Sequence, residues 1–293
     1  MTTEKHSEHF LTDARSFWWN KDYLELVSKR WETQNVTSVL DIGCGVGDWT
    51  AALLTILPEG TKVCAVDREP AWVQKTQDRF GHRVLVQQAA AEHLPFPNAS
   101  FDLVTCQTLL IHVSDPKHVI KEMLRVLKPG GLLAVAEPSN AAQTRDSIYL
   151  SLNEASAIFE IGEISERGKI ALVEGNNSLG DVLPGLFAEC GLENIQTYTG
   201  DKAMTLVPPY SGPGQSEAIA DRIRDADTNF FMFGYEQTKK YFLAGGGSQE
   251  DFERYWKIGL ENLKKVKEAI LNNTYHCAGG IVMYLISGRK GLI

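Results

Sequence analysis

Apolar positions along this chain follow two periods in turn. Short runs rich in Val, Leu and Ile at 38–41, 62–66, 83–87, 101–106 and 132–136 have the length and branching of buried strands. Between them, 49–57, 70–80 and 116–127 carry apolar residues at helical spacing. Strands that alternate with helices predict parallel pairing through right-handed crossovers, hence an open α/β sheet with helices on both faces. Upstream, 6–31 reads as helical, because Phe17, Leu24, Val27 and Trp31 recur at helical intervals. Lys128-Pro129-Gly130-Gly131 predicts a turn that launches the fifth strand.

Beyond Ala141 the pattern changes. Segments 147–160 and 178–190 read as helices, and 194–207 as an extended strand bent at Gly200. After Pro208-Pro209 comes an all-helical stretch with one apolar stripe at Ile219, Ile223, Ala226 and Phe230. A second stripe runs through Phe252, Trp256, Leu260, Leu263 and Ile270. Residues 280–287 then predict a strong strand. The expected organisation is an N-terminal helical segment 1–35 and a sheet core of 36–207 and 277–293, with the helical segment 141–175 inside that core. A helical insertion at 208–276 lies between two late strands that pair antiparallel at the sheet edge. This insertion is expected to cap the sheet, with hinges at Gly212, Gly214 and the run 245–247.

Composition narrows the function classes. Against 29 Lys and Arg stand 37 Asp and Glu, a formal net charge of −8, which disfavours a nucleic-acid partner or an anionic membrane surface. Cys44, Cys64, Cys106, Cys190 and Cys277 are odd in number and form no C-x-x-C pair, so neither a zinc site nor a disulfide framework is expected. His6 and His9 do not amount to a metal site, and no metal is expected. The start MTTEKHSEHF lacks an apolar signal region, and no apolar run approaches the ~18 residues of a membrane span. A cytoplasmic protein is the expectation.

The chemistry gathers at Asp41-Ile42-Gly43-Cys44-Gly45-Val46-Gly47-Asp48. A buried strand running into a glycine-rich turn and then a helix is the arrangement of nucleotide crevices in open sheets. The nicotinamide fingerprint G-x-G-x-x-G fails, because Asp48 stands where its third glycine belongs. The pattern present, D-x-G-x-G-x-G, puts a carboxylate ahead of the glycines, which suits a ligand with an amino group and no pyrophosphate.

That segment resembles motif I of the class I S-adenosylmethionine-dependent methyltransferases. Further segments agree in order: Asp67 at the end of the second strand, Ala91-Glu92-His93-Leu94-Pro95-Phe96, Phe101-Asp102-Leu103-Val104, Leu110-Ile111-His112-Val113, and Leu124-Arg125-Val126-Leu127-Lys128-Pro129-Gly130-Gly131. The likeness is to the small-molecule branch that includes the ubiquinone- and menaquinone-biosynthesis enzymes. It covers roughly the first half of the chain after Trp31 and implies a seven-stranded Rossmann-like sheet with S-adenosyl-L-methionine as cofactor and S-adenosyl-L-homocysteine as product. It departs at Ala90, where many relatives carry an aspartate for the adenine amine.

The resemblance implies cofactor-binding roles for Asp41, Gly43, Cys44, Gly45, Gly47, Asp67, Arg68, Ala91, Glu92 and Gln107. Asp67 is expected on the ribose hydroxyls and Gln107 beside the methionine end. Trp72 is expected in the core. His112, just past the carboxyl end of the fourth strand, is the candidate base, since histidine can take a proton near neutral pH. Trp18, Trp19, Tyr23 and Glu137 are the candidates for an acceptor pocket. The implied reaction is in-line methyl transfer to a small molecule. A methyltransferase acting on protein or RNA, a non-catalytic cofactor-binding scaffold and a nicotinamide oxidoreductase are the alternatives.

Overall fold

The computed structural model describes residues 15, 17–142, 150–280 and 282–292. Residues 6–14 of the expected first helix, 147–149 of a later one, and Ile281 lie outside the described residues, as do His6 and His9. In chain order the elements are α1 (Lys21–Trp31), β1 (Ser38–Ile42), α2 (Asp48–Leu54), β2 (Lys62–Asp67), α3 (Pro70–Phe80), β3 (Leu85–Gln88), β4 (Phe101–Gln107), α4 (Pro116–Val126), β5 (Leu127–Ser139), α5 (Leu152–Ala171), α6 (Leu183–Glu189), β6 (Leu192–Thr199), β7 (Met204–Leu206), α7 (Gln215–Thr228), α8 (Tyr235–Ala244), α9 (Gln249–Leu271), β8 (Cys277–Gly279) and β9 (Val282–Lys290).

Two compact units divide these elements. The first comprises Trp19–Asn140, Asn177–Asp201 and Val282–Ile293. Its seven strands run in the order β3-β2-β1-β4-β5-β9-β6. Five are parallel, and β9 pairs antiparallel with both β5 and β6. Strand periodicity explains the two layers of helix. Leu40, Ile42, Val104 and Val135 point to one face, where they pack on Val119, Ile120 and Met123 of α4 and Phe187 of α6. Val39, Ala65, Leu103 and Ala134 point to the other, against Val27 and Trp31 of α1 and Trp49 and Leu53 of α2. A parallel sheet buried on both faces reads as nearly continuous apolar runs, as these strands do.

The late strands differ from expectation. Segment 194–207 is not one bent strand: β6 stops at Thr199, and β7 pairs instead with β8 in a separate two-stranded sheet. Gly200, Asp201 and Lys202 bring no apolar side chain to continue either face. The antiparallel partner of β6 is β9, with Thr199 opposite Tyr284, so β6 forms the edge and β9 lies inside it. The Lys128–Gly131 turn is likewise part of β5. Phe101 pairs with Leu127 and Leu103 with Leu132, so the intervening residues form an irregularity within the ladder.

At the amino-terminal side of the sheet, Asp102 ties three segments together. One carboxylate oxygen accepts the backbone N–H groups of Thr37 and Ser38 at 2.9 and 3.0 Å, and the other accepts Lys128 Nζ at 2.7 Å. Burial would raise this carboxyl, but the hydrogen bonds from Lys128, Thr37 and Ser38 outweigh it and hold the group well below the usual carboxylate range. A carboxylate depressed in the fold stabilises above its unfolded pKa, and that contribution is lost as pH falls through the folded one. Asp102→Asn should cost about 1–2 kcal/mol at pH 7, and its deficit should shrink progressively below about pH 4. Urea titrations at pH 7 and pH 3 would test this. An equal deficit at both would remove the charge from the explanation.

The second unit comprises Met1–Trp18, Ala141–Asn176 and Lys202–Ile281. These units divide the chain differently from the expected segments at two places. The segment 1–35 divides after Trp18, and 141–175 groups with the 208–276 helices rather than with the sheet. The reason lies in α5, whose Ala157 and Ile161 share a core with Phe242, Phe252, Tyr255 and Trp256. Where α5 meets α8 there is no room for side chains: a Cβ on Gly168 would lie 1.7 Å from the Tyr241 carbonyl oxygen, and one on Gly245 would lie 1.9 Å from that of Ile164. Gly245, expected in a hinge, is therefore a packing residue. The stripe of Ile219, Ile223, Val266 and Ile270 packs with Tyr210 and Tyr275 in a second cluster of this unit.

Candidate cofactor and methyl-transfer site

β1 ends in a turn that only glycines can follow without strain. Gly43, Gly45 and Gly47 have φ of +69°, +54° and +85°, a region costly for residues with a Cβ. The backbone N–H groups of Gly43 and Cys44 both donate to Val66 O, at 2.8 and 3.0 Å, which fastens the turn to β2. From α3, Thr76 Oγ1 donates to Gly45 O at 2.7 Å, while Arg79 donates to Val46 O at 2.9 Å and to Asp48 at 2.7 Å. The aspartate that breaks the nicotinamide fingerprint is thus the partner of an arginine one helix away.

Two carboxylates flank the turn. Asp67 is 8% exposed; one oxygen accepts Gly45 N–H at 3.0 Å and the other accepts Glu69 N–H at 2.9 Å. Each oxygen keeps a second lone pair, enough to receive a vicinal diol. Asp41 is fully buried, with Oδ2 receiving Thr50 Oγ1 at 2.5 Å and Oδ1 meeting no partner among the described residues. Burial pushes its pKa up to about 7 against the lowering effect of Thr50, with a further upward push from Asp67. An unsatisfied buried oxygen next to the glycine turn fits a donor group on a ligand. Cys44 is buried, and burial followed by the Asp41 and Asp67 charges drives its thiol far up. It is no nucleophile.

The adenine-side loop is a tight turn. Ala89 N donates to Asp67 O at 3.0 Å, and His93 N donates to Ala90 O at 3.1 Å. Ala91 is buried in the core and Glu92 is half-buried. Arg125 on α4 grips the downstream part, donating to Leu94 O and Phe96 O at 2.9 and 2.8 Å, and Glu122 accepts Leu94 N–H at 2.8 Å. Two segments that carry the resemblance separately in sequence are one hydrogen-bonded assembly. The Arg68 side chain is 73% exposed, with Nε 3.7 Å from Glu69. Trp72 is buried at 4% exposure, as expected of a core residue.

At the carboxyl end of β4 the sheet unit gathers aromatic rings. Trp19 stacks on Tyr23 with centroids 6.2 Å apart and also contacts Trp49 at 5.2 Å. Trp19 Nε1 donates to Gln107 Oε1 at 2.8 Å, Trp49 Nε1 donates to Thr105 Oγ1 at 3.0 Å, and the Tyr23 hydroxyl donates to Thr199 O at 2.6 Å. An indole is donor only, so Gln107 turns its oxygen to Trp19 and keeps its NH₂ free to donate elsewhere. Trp18 falls in the helical unit, with the Arg15 guanidinium 4.6 Å above its ring. His112 ends a 3₁₀ turn, Leu110–His112, and is exposed.

Glu137, a candidate for the acceptor pocket, lies inside the fold. It is fully buried, and its Oε1 accepts the N–H groups of Leu109 and Leu110 at 2.9 and 2.8 Å. It pins the turn after β4. Burial pushes it up to about 7 despite these bonds. Thr50, Thr76, Arg79, Glu122 and Arg125 are the supporting residues that sequence reasoning missed. Among the described residues, no group of three His, Cys, Asp or Glu side chains is placed to hold a metal ion, and no helix is long and apolar enough to cross a membrane.

Residues 40–135 match the family described as a methyltransferase domain. The chain is similar to a demethylmenaquinone methyltransferase from Geobacillus stearothermophilus, 40% identical over 126 residues, which covers 41% of this chain and 52% of that protein. The protein of the same name from Anoxybacillus flavithermus is 34% identical over 146 residues, covering 46% of this chain and 60% of its own length. The chain thus spans about half the length of the curated relatives it matches. Its fold is similar to that of a Haemonchus contortus phosphoethanolamine N-methyltransferase 2 solved with S-adenosyl-L-methionine, at a TM-score of 0.52, 17% identity, and coverage of 99% of this chain and 58% of that one. Residues 40–135 thus match a methyltransferase domain, and the strand order and the glycine turn held between two carboxylates agree with that likeness.

Proposed function

We propose that the chain transfers the methyl group of S-adenosyl-L-methionine to a small-molecule acceptor. The observation that carries this reading is the glycine turn with Asp67 bonded to Gly45 N–H on one side and the orphan Asp41 oxygen on the other. When bound, the cofactor supplies a methyl already activated by its sulfonium. This chain's residues then bind and align. Asp67 holds the ribose diol, the turn 43–47 lies against the ligand, and Asp41 supports the amino end. Ala91 and Glu92 offer backbone groups to the adenine edge, which is the support left where Ala90 replaces an aspartate. Proximity and orientation of this kind account for roughly 7–11 kcal/mol of such barriers.

Trp19, Tyr23 and the Gln107 amide form one wall for the acceptor, and the rings exclude water from the transfer. His112 is the group to take a proton from an acceptor that must lose one. Demethylmenaquinone, the acceptor in the name of the relatives, is the first compound to assay. The free cysteines fit the reducing cytoplasm. Calorimetry should show S-adenosylmethionine and S-adenosylhomocysteine binding in preference to NAD. Tight NAD binding with neither of the others would falsify the proposal.

A further inference from the structure

The turn after β4 is strained and clamped. Thr108 has φ of +51°, a genuine outlier for a β-branched residue, and such backbone persists only where its surroundings over-determine it. Its N–H donates to Ala136 O at 2.9 Å. The next two N–H groups, of Leu109 and Leu110, both donate to Glu137 Oε1 from β5. Cys106 Sγ lies 3.6 Å from the same oxygen. Leu109 in turn reaches the glycine turn: its Cδ1 lies 2.8 Å from the point a Cβ on Gly43 would occupy. One buried carboxylate therefore holds a strained segment whose side chain roofs the first glycine of the cofactor turn.

We propose that Glu137 is a positioning residue for cofactor binding: it clamps the strained exit of β4 and, through Leu109, sets the place of Gly43. The inference rests on the cofactor reading above. Glu137 need not touch the cofactor. One carboxyl oxygen receives two backbone donors, and it is aimed at the two N–H groups that follow the strained residue. The second oxygen, Oε2, is buried and meets no partner among the described residues, so the carbonyl oxygen of a glutamine can stand in for the bonded one.

The test measures S-adenosylhomocysteine affinity by calorimetry and thermal stability for wild type, Glu137→Gln, Glu137→Leu, Leu109→Ala, Thr108→Gly and the pair Thr108→Gly with Glu137→Leu. Glu137→Gln should bind within about threefold of wild type, and Glu137→Leu should bind at least tenfold more weakly. Because glycine takes φ near +51° without strain, the Thr108→Gly background should recover much of that loss, a coupling that general destabilisation does not produce. Leu109→Ala keeps the clamp and removes the roof, so it should weaken binding several-fold with little change in melting temperature. It serves the test even if Glu137→Leu does not fold. Wild-type affinity in Leu109→Ala, or a Glu137→Leu loss undiminished by Thr108→Gly, overturns the inference. A wild type that binds no S-adenosylhomocysteine overturns instead the reading on which it rests.

Discussion

Gly168→Ala should destabilise the helical unit by more than about 4 kcal/mol, a size reserved for a few mechanisms of backbone and packing failure. The added Cβ would sit 1.7 Å from the Tyr241 carbonyl oxygen, which no rotamer change relieves because both partners are backbone. That carbonyl already accepts Gly245 N–H at 2.9 Å, so moving it also breaks the last turn of α8. Helix propensity pulls the other way, since alanine is favoured over glycine by about 0.8–1 kcal/mol, and it is far too small to compensate. The same substitution at Gly185 in α6, where a Cβ meets nothing within 4 Å, should be neutral or slightly stabilising. Thermal and near-UV circular dichroism scans of the two variants check this. Matching melting curves would mean that the α5–α8 crossing relaxes, and the account of Gly168 would fail.

Asp67→Ala should weaken cofactor binding by on the order of 1.5–3 kcal/mol, one to two powers of ten in Kd. Two losses add. The diol loses its charge-assisted acceptor, and Gly45 and Glu69 lose the side chain that receives their N–H groups at 3.0 and 2.9 Å. Asp67→Asn separates them, since its amide oxygen retains one of the backbone bonds and sheds the charge. Calorimetric titration of S-adenosylhomocysteine into the three proteins should give Kd values rising from wild type through Asn to Ala. Equal affinity across the series would take Asp67 out of the site.

The central strands were legible because β1, β4 and β5 are buried runs closed by polar or glycine residues, and α3 runs from Pro70 to Phe80 as the pattern predicts. Proline at its first position and Gly81 just beyond it mark both ends. The glycines, Asp41 and Asp67 were legible for the same kind of reason, since a positive φ or a strand-end carboxylate shows in residue type. The grip of Arg125 on Leu94 O and Phe96 O did not show. Its acceptors are backbone carbonyls, which every residue has, so no residue type marks them. Glu137 was visible as a carboxylate, but its partners are amides 28 and 27 positions away. Periodicity also missed the allegiance of α5: its packing on α8 depends on Gly168 and Gly245, which add nothing to an apolar stripe.

The place of β9 has a consequence in time. Its residues follow both β5 and β6 in the chain, yet they lie between them with both edges paired. During synthesis β5 therefore waits with one edge open while the whole helical stretch emerges, and that edge carries Leu133 and Val135, both fully buried in the finished sheet. Pairings so distant along the chain form slowly, and an open apolar edge is a template for strands of other molecules. The interval before Val282–Lys290 arrives is when nascent chains of this protein are most exposed to aggregation, and a chaperone that covers the β5 edge would act there.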